Sequence, residues 1–153
     1  MSTTHPIEDL VRRLYQALAA GDAATLPDLL TPDFEGVLAE GLPLGIGGRH
    51  PGLEDMRERG WWAIGRAFKL RTEPSAWIGC DDGRLLVLGR YLGTARSTGA
   101  TVEARFAHLW TARFAPRGTA GDADHGTAGD GKLSALWHLT DTAAWVAALG
   151  ARP

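Results

Sequence analysis

The second half of the chain holds four long β-rich runs that follow one another with only short polar or Gly-rich breaks. They span residues 70–78, 84–96, 101–115 and 132–140. Asp81-Asp82-Gly83 joins the first two runs and Ser97-Thr98-Gly99 joins the next two, at lengths usual for hairpins. Pro74 cannot donate to a central ladder, so the first run is expected at a sheet edge. The four runs predict an antiparallel meander.

The first half favours helices. Apolar residues from Ile7 to Leu18 recur at the spacing of one helical face, with Pro6 suited to the first turn and Gly21 to the stop. Thr25 is expected to open a short second helix. That helix should end before Pro32.

A strand over residues 34–38 and a Gly-rich loop over 41–48 are expected next. Pro51 then opens a third helix whose apolar stripe continues to residue 68. After the meander, a short terminal helix begins at Thr140 or Asp141. The predicted order is α-α-β-α-β-β-β-β-α.

Helices followed by antiparallel strands indicate a single α+β domain over residues 1–153, because the sheet must bury one face against the helices. We expect a cone-shaped, curved antiparallel sheet wrapped around the N-terminal helices, enclosing an apolar cavity for a small ligand. The segment 116–131, in which Gly-Thr-Ala-Gly-Asp occurs twice, is expected to be a mobile surface loop.

Charge and composition limit the classes of binding partner and the cellular compartment that we expect. Sixteen Lys and Arg against eighteen Asp and Glu, with no dense basic run, disfavour nucleic acid. Cys80 is the only cysteine, and neither a secretory leader nor a transmembrane run is evident. The sequence therefore predicts a cytoplasmic protein with a small hydrophobic molecule as its partner, without nucleic acid or membrane.

Two histidines are candidate functional residues. In the run 101–115, alternation places His108 on the face that carries Phe106 and Trp110, where burial favours the neutral imidazole. His138 is harder to place, because periodicity alone points Trp137 inward. If a second copy covered the outer face, His138 could instead face the cavity.

Six short segments of the chain form a recognisable series of motifs. They are residues 17–22, 29–34, 48–52, 89–95, 107–111 and 139–145. In order and spacing they resemble the nuclear transport factor 2-like (cystatin-like) superfamily and, within it, the SnoaL-like polyketide cyclases and ketosteroid isomerase relatives. The resemblance covers nearly the whole chain.

This resemblance implies a homodimer that needs no cofactor, with functions ranging from cyclases, dehydratases and epoxide hydrolases to non-catalytic binders. It also implies that His108 contacts the ligand. His138 stands where the cyclases carry an aspartate as general acid/base, and a histidine can perform the same proton transfer.

Other members of the superfamily use residue sets that fit less well. The isomerase apparatus needs a Tyr where Leu14 stands, with Tyr15 about 100° around the helix, and its base position falls near Leu38. Arg90 could supply the cation of an epoxide hydrolase, although Leu92 replaces the partner carboxylate. A dehydratase set of paired histidines with Tyr91 or Tyr15 stays open.

The leading hypothesis is a cofactor-independent acid/base enzyme (a cyclase, isomerase or dehydratase) acting on a hydrophobic carbonyl compound such as a polyketide intermediate. His108 binds or polarises the substrate and His138 shuttles the proton. Trp61, Trp110 and Phe106 form the wall. The rival is a non-catalytic binder or dimeric scaffold. It is favoured if the two histidines point apart, or if backbone partners saturate them and leave no free ring nitrogen near a cavity.

The remaining polar residues are expected to be structural. Asp33, Glu35 and Glu40 are interpreted as solvated loop carboxylates, and Arg49-His50 could meet an anion at the start of the third helix. No metal site is predicted, because the aspartates of the repeat lack a following glutamate and the histidines lack zinc-ligand spacing.

Overall fold

The helical first half and the β-rich second half are both present in a computed structural model that describes residues 6–114 and 131–150. The expected mobile loop at 116–131 lies outside the described residues, except for Gly131. The helices are α1 (Pro6–Ala20), α2 (Leu26–Leu29, preceded by a 3₁₀ turn at Ala23–Thr25), α3 (Leu53–Asp55), α4 (Trp62–Ala67) and α5 (Thr142–Ala148). The strands are β1 (Leu30–Leu38), β2 (Gly48–Pro51), β3 (Phe68–Gly79), β4 (Leu85–Ala95), β5 (Thr101–Phe114) and β6 (Gly131–Thr140).

Helix α1 follows its sequence pattern closely. Leu10, Val11 and Leu14 are fully buried on the stripe that packs against the sheet. The helix stops at Gly21, whose φ of 67° is a left-handed conformation that glycine adopts without steric cost. The apolar stripe therefore fixes which side of α1 meets the sheet.

The third helix departs from the prediction. Pro51 does not open it, because residues 48–51 form strand β2, and the helical segment begins at Leu53. Between α3 and α4, Met56–Trp61 form a π-helix. Gly60 leaves space there for the buried Met56, since a Cβ on Gly60 would lie 2.8 Å from the Met56 Cε. A regular 3.6-residue repeat across this region was therefore the wrong assumption.

The six strands form one curved sheet in the order β2-β1-β6-β5-β4-β3. Neighbours pair antiparallel as predicted, except that β1 and β6 run parallel. Strand β3, which contains Pro74, is an edge strand, as the proline indicated. The α+β class is confirmed.

Irregularities in three strand pairs contribute to the curvature. The register shifts between Leu30 and Glu35 in the β1–β6 pair, near Pro74 in β3–β4, and near Thr111 in β5–β6. An extra residue bends a strand and increases its local twist. The concave face of the sheet packs against α1 and α5, and no described helix has the length and hydropathy needed to cross a membrane.

Candidate active site

The two candidate histidines lie directly opposite each other on adjacent strands. His108 of β5 pairs with His138 of β6, and their ring centroids are 5.1 Å apart. Both side chains are buried on the concave face. Phe106 stacks on the His108 ring at 4.0 Å between centroids, which fixes the plane of the imidazole.

The inward position of His138 results from a bulge that the sequence pattern did not reveal. Thr111 pairs with Ala135 and Ala112 pairs with Leu133, so Ser134 is an extra residue in β6. An extra residue reverses the alternation of everything that follows it. His138 therefore points inward and Trp137 outward, where it is 52% exposed. The inward Trp137 that periodicity alone predicted is wrong.

Tyr91 joins the two histidines. It lies on β4, and its hydroxyl oxygen is 2.6 Å from His108 Nε2 and 3.0 Å from His138 Nε2. No other hydrogen-bond partner of this hydroxyl is present among the described residues. The three side chains thus form one hydrogen-bonded unit across β4, β5 and β6.

The network continues beyond the histidines at both ends. The Tyr15 hydroxyl on α1 lies 2.7 Å from His108 Nδ1, and the Trp110 indole N–H donates to the same hydroxyl oxygen at 3.3 Å. At the other end, the backbone N–H of Ala39 donates to His138 Nδ1 at 3.2 Å. The unit therefore runs from the end of β1 to helix α1.

Burial keeps this network uncharged at neutral pH. It lowers the pKa of His108 well below its ordinary value, with the neighbouring His138 as the second cause. Burial also lowers the pKa of His138 to about 4. The same desolvation raises the pKa values of Tyr15 and Tyr91, so neither phenol ionises near neutrality.

A cavity of about 850 Å³ opens onto this network. Tyr15, Tyr91, His108 and His138 line it, and so do four cationic residues, Arg66, Lys69, Arg71 and Arg96. The described lining residues include no carboxylate. Aromatic and aliphatic side chains form most of the rest, among them Trp61, Trp62, Ile64, Phe68, Leu136 and Trp145.

The predicted substrate-binding residues divide into three groups by position. Tyr15, Tyr91, Trp61 and Trp110 line the cavity. Phe106 lies behind His108 and does not line it. Arg90 is on the opposite face of the sheet, half exposed and paired with Glu103, because alternation turns it away from its neighbour Tyr91. Its expected contact with substrate is therefore not supported by its position.

Sequence reasoning had named most of the side chains in this network but had not connected them. Leu14, at the position of the isomerase tyrosine, is buried in the core, whereas Tyr15 reaches the histidines. The Ala39 N–H was missed entirely, because a backbone donor leaves no signal in the sequence. The ring nitrogens of His108 and His138 are all engaged, yet the two rings face each other in one open cavity.

The other polar candidates are structural. Asp33 forms a two-point pair with Arg113, and Glu35 a two-point pair with Arg49, which lowers the pKa of each carboxyl. His50, instead of meeting an anionic ligand, contacts Asp55 and the Ile46 carbonyl. Across residues 6–114 and 131–150, no three potential metal ligands cluster.

Comparison with known proteins fits this geometry. The SnoaL-like domain family matches residues 11–114, which is more than half of the chain. The chain belongs to the SnoaL-like family. No protein with a curated description matches.

Solved structures share the fold of this SnoaL-like protein over nearly its whole length. A nuclear transport factor 2-like protein of unknown function from Burkholderia pseudomallei is 22% identical with a TM-score of 0.74, over 97% of this chain and 100% of that one. TerC, co-crystallised with polyporic acid, is 24% identical with a TM-score of 0.74, over 95% and 99%. IdmH, a candidate polyketide cyclase of Streptomyces antibioticus, is 20% identical with a TM-score of 0.67, over 96% and 100%. At these identities the likeness establishes the fold.

Proposed function

We propose that this protein is a cofactor-independent, polyketide cyclase-like enzyme that acts on a hydrophobic carbonyl compound. The observation that carries the proposal is the continuous hydrogen-bonded unit of His138, Tyr91, His108 and Tyr15 in the wall of a largely apolar cavity. A preorganised polar group beside the bound substrate stabilises charge that develops on a substrate oxygen. Membership of the SnoaL-like family supports the same class of substrate.

The step that this site supports best is enolisation. The proton on the carbon next to the carbonyl leaves to water in the open cavity, and the electron pair of the broken C–H bond moves onto the carbonyl oxygen. Hydrogen bonding from the network stabilises the resulting enolate oxygen. Such an enolate can then be reprotonated elsewhere, attack a second carbonyl or expel a leaving group, so isomerisation, cyclisation and dehydration share this step.

His108 and His138 act as a pair in this proposal, because Tyr91 bonds to both. The pair holds the network in its hydrogen-bonded arrangement, and the removal of either ring breaks it. Trp61 and Trp110 provide apolar surface for the body of the substrate. TerC, which was co-crystallised with a small organic acid, supports a small organic molecule as ligand here.

The test is hydrogen–deuterium exchange of 2-tetralone in D₂O, followed by proton NMR. This bicyclic ketone needs no knowledge of the natural substrate. We expect the protein to accelerate exchange next to the carbonyl, and His108→Ala and His138→Ala each to reduce the acceleration by at least about tenfold. If the wild-type protein does not accelerate the exchange, the proposed enzyme activity is wrong.

A non-catalytic binder is the second candidate, and a specific observation favours it. The four ring nitrogens of His108 and His138 already have partners, so neither is free to take a proton from a ligand. For a binder, 2-tetralone would bind in the cavity and be recovered with its hydrogens unexchanged. The same experiment therefore distinguishes the two candidates.

We further propose that a second copy of the chain covers the convex face of the sheet. Two apolar rows cross four strands there. They are Ile78–Leu86–Leu109–Trp137 and Ala76–Leu88–Ala107–Leu139. Trp137 is 52% and Leu139 is 46% exposed, which is costly for large apolar side chains in a monomer.

Analytical ultracentrifugation tests the dimer. We expect the wild type to sediment as a dimer and Trp137→Lys as a monomer, because the substitution places a charge in the apolar row. Leu44→Lys is the matched control, since Leu44 is 66% exposed and lies in the loop before β2, outside the four strands that carry the apolar rows. A monomeric wild type, or a Trp137→Lys variant that stays dimeric, would contradict the proposal.

We also place the protein in the cytoplasm. Cys80, the only cysteine in the sequence, is free and half buried, which is compatible with a reducing compartment.

A further inference from the structure

The hydrogen bonds between Ala39 and Tyr15 have a definite direction. A backbone N–H can only donate, so His138 Nδ1 must accept from Ala39 and carries no hydrogen itself. A neutral imidazole has one N–H. The hydrogen of His138 is therefore on Nε2, which donates to the Tyr91 hydroxyl oxygen.

That assignment passes along the network. Tyr91 receives a hydrogen bond from His138, so its own hydroxyl hydrogen goes to its other partner, His108 Nε2. His108 then carries its hydrogen on Nδ1 and donates to the Tyr15 oxygen. The direction set at Ala39 thus reaches α1 through three side chains.

The opposite direction at His108 is disfavoured. If His108 donated from Nε2, Tyr91 would accept two hydrogen bonds and its hydroxyl hydrogen would have no acceptor among the described residues. Tyr91 is buried, and a buried hydrogen-bond donor without an acceptor destabilises the folded protein. The network therefore has one favoured arrangement.

Tyr15 is the last member and is differently placed from the others. Its oxygen accepts from His108 Nδ1 and from the Trp110 indole N–H, so both lone pairs are engaged. Its hydroxyl hydrogen has no acceptor among the described residues. Tyr15 is only partly buried and lines the cavity, whereas Tyr91, His108 and His138 are buried.

We propose that the network is a one-way donor chain, set by the Ala39 N–H and ending at the Tyr15 hydroxyl, which binds an acceptor oxygen of the ligand such as a ketone carbonyl. The inference rests on the proposed function for the identity of the cavity as the substrate site. Tyr15 is the residue that meets the ligand. His108, Tyr91 and His138 are positioning residues that keep its hydrogen directed into the cavity.

Two consequences follow from this direction. The chain supplies a hydrogen-bond donor and no proton acceptor, so it selects ligands by a carbonyl oxygen. Its far end is a backbone amide that cannot give up its proton, so the chain stabilises an oxyanion by hydrogen bonding without delivering a proton from solvent.

The direct test is nitrogen-15 NMR of histidine-labelled wild-type protein at neutral pH, because imidazole nitrogen shifts distinguish the two tautomers. We expect hydrogen on Nε2 of His138 and on Nδ1 of His108. Signals are assigned with His108→Gln and His138→Gln. Hydrogen on Nε2 of His108 or on Nδ1 of His138 would overturn the proposal.

The binding test compares 9-fluorenone with fluorene, which has the same three rings and a methylene in place of the carbonyl. Binding is followed by tryptophan fluorescence. We expect wild type to prefer fluorenone by about tenfold, the worth of one net hydrogen bond. Tyr15→Phe should abolish the preference while its affinity for fluorene stays unchanged, which also shows that the cavity is intact.

Tyr91→Phe separates a chain from an isolated tyrosine. Without Tyr91, His108 can place its hydrogen on Nε2, and the Tyr15 hydroxyl can turn to donate to Nδ1. The preference for fluorenone should then fall at least threefold although Tyr15 is present. An unchanged preference in Tyr15→Phe or in Tyr91→Phe would contradict the proposal.

These outcomes are independent of turnover, because fluorenone has no hydrogen on the carbons next to its carbonyl. If the tautomers and the preference for fluorenone are found but 2-tetralone is not exchanged, the proposed enzyme activity is wrong and the donor chain stands. If 2-tetralone is exchanged but the tautomers or the preference are not found, the donor chain is wrong and the enzyme activity stands.

Discussion

The buried histidines at two places in the molecule have opposite surroundings. His50 of β2 lies with Nδ1 2.7 Å from Asp55 Oδ1 and Nε2 2.7 Å from the Ile46 carbonyl oxygen. Both partners of His50 are hydrogen-bond acceptors, one a carboxylate oxygen and the other a carbonyl oxygen. His108 and His138 instead meet hydroxyls and a backbone N–H, which a neutral ring satisfies.

The difference shows that burial alone does not decide the role of a histidine. All three rings are 5% exposed or less. At His50 the accepting partners make the ring a structural link between the Gly-rich loop before β2 and the start of the third helix. At His108 and His138 the hydroxyl partners make the rings part of a directed network beside a cavity.

The largest expected effect is a loss of folding stability in acid, because His108 and His138 are buried as a neutral pair. The folded-state pKa of His138 is depressed to about 4, whereas the unfolded value is near 6.5. Below about pH 6.5, His138 is protonated in the unfolded chain but stays neutral in the folded chain. Its contribution to the free energy of unfolding is therefore fully present above that pH and is lost as the pH falls towards 4. His138 alone then accounts for a loss of about 2 kcal/mol between pH 7 and pH 5.

Urea denaturation at the two pH values measures this loss. His138→Gln keeps a polar side chain without an ionisable ring, so its loss of unfolding free energy between pH 7 and pH 5 should be smaller by about 2 kcal/mol. Equal losses in wild type and variant would show that the surroundings of His108 and His138 do not hold the pair neutral.

A smaller effect is expected from neutralising the partner of His50. Asp55→Asn keeps the size of the side chain but removes the charge that faces Nδ1, so unfolding free energy at pH 7 should fall by about 1–2 kcal/mol. Urea denaturation of the purified variant provides the value.

Arg59→Ala is the matched control for Asp55→Asn. Arg59 also pairs with Asp55, at 3.3 Å, but its side chain is 70% exposed, so its loss should cost less than about 0.5 kcal/mol. If Arg59→Ala were as damaging as Asp55→Asn, the exposed ion pair, and not the link to His50, would anchor this segment.

Much of the fold was predictable because its signals are local. The stripe on α1, the Gly stops, the two hairpin turns and the alternation of β5 each depend on neighbours a few residues away. The inward position of His108 follows from that alternation alone. The parallel pairing of β1 with β6 joins segments about a hundred residues apart, and no local pattern encodes it.

The candidate site was only partly predictable for the same reason. His108, Tyr15 and Tyr91 could be named, but their convergence depends on how α1 lies across β4 and β5. Arg90 was placed in the substrate site although alternation turns it outward. The donor from Ala39 is a backbone atom that every residue but proline possesses.

The sequence by itself determined the α+β class, the succession of strands and the aromatic face that carries His108, since residue spacing sets these directly. Only the tertiary structure decided that His138 joins it, because Ser134 is bulged out of register with β5 and reverses the faces of the residues after it. The same is true of the direction of the proposed donor chain. Its direction depends on the Ala39 N–H, which reaches His138 only when β1 lies beside β6.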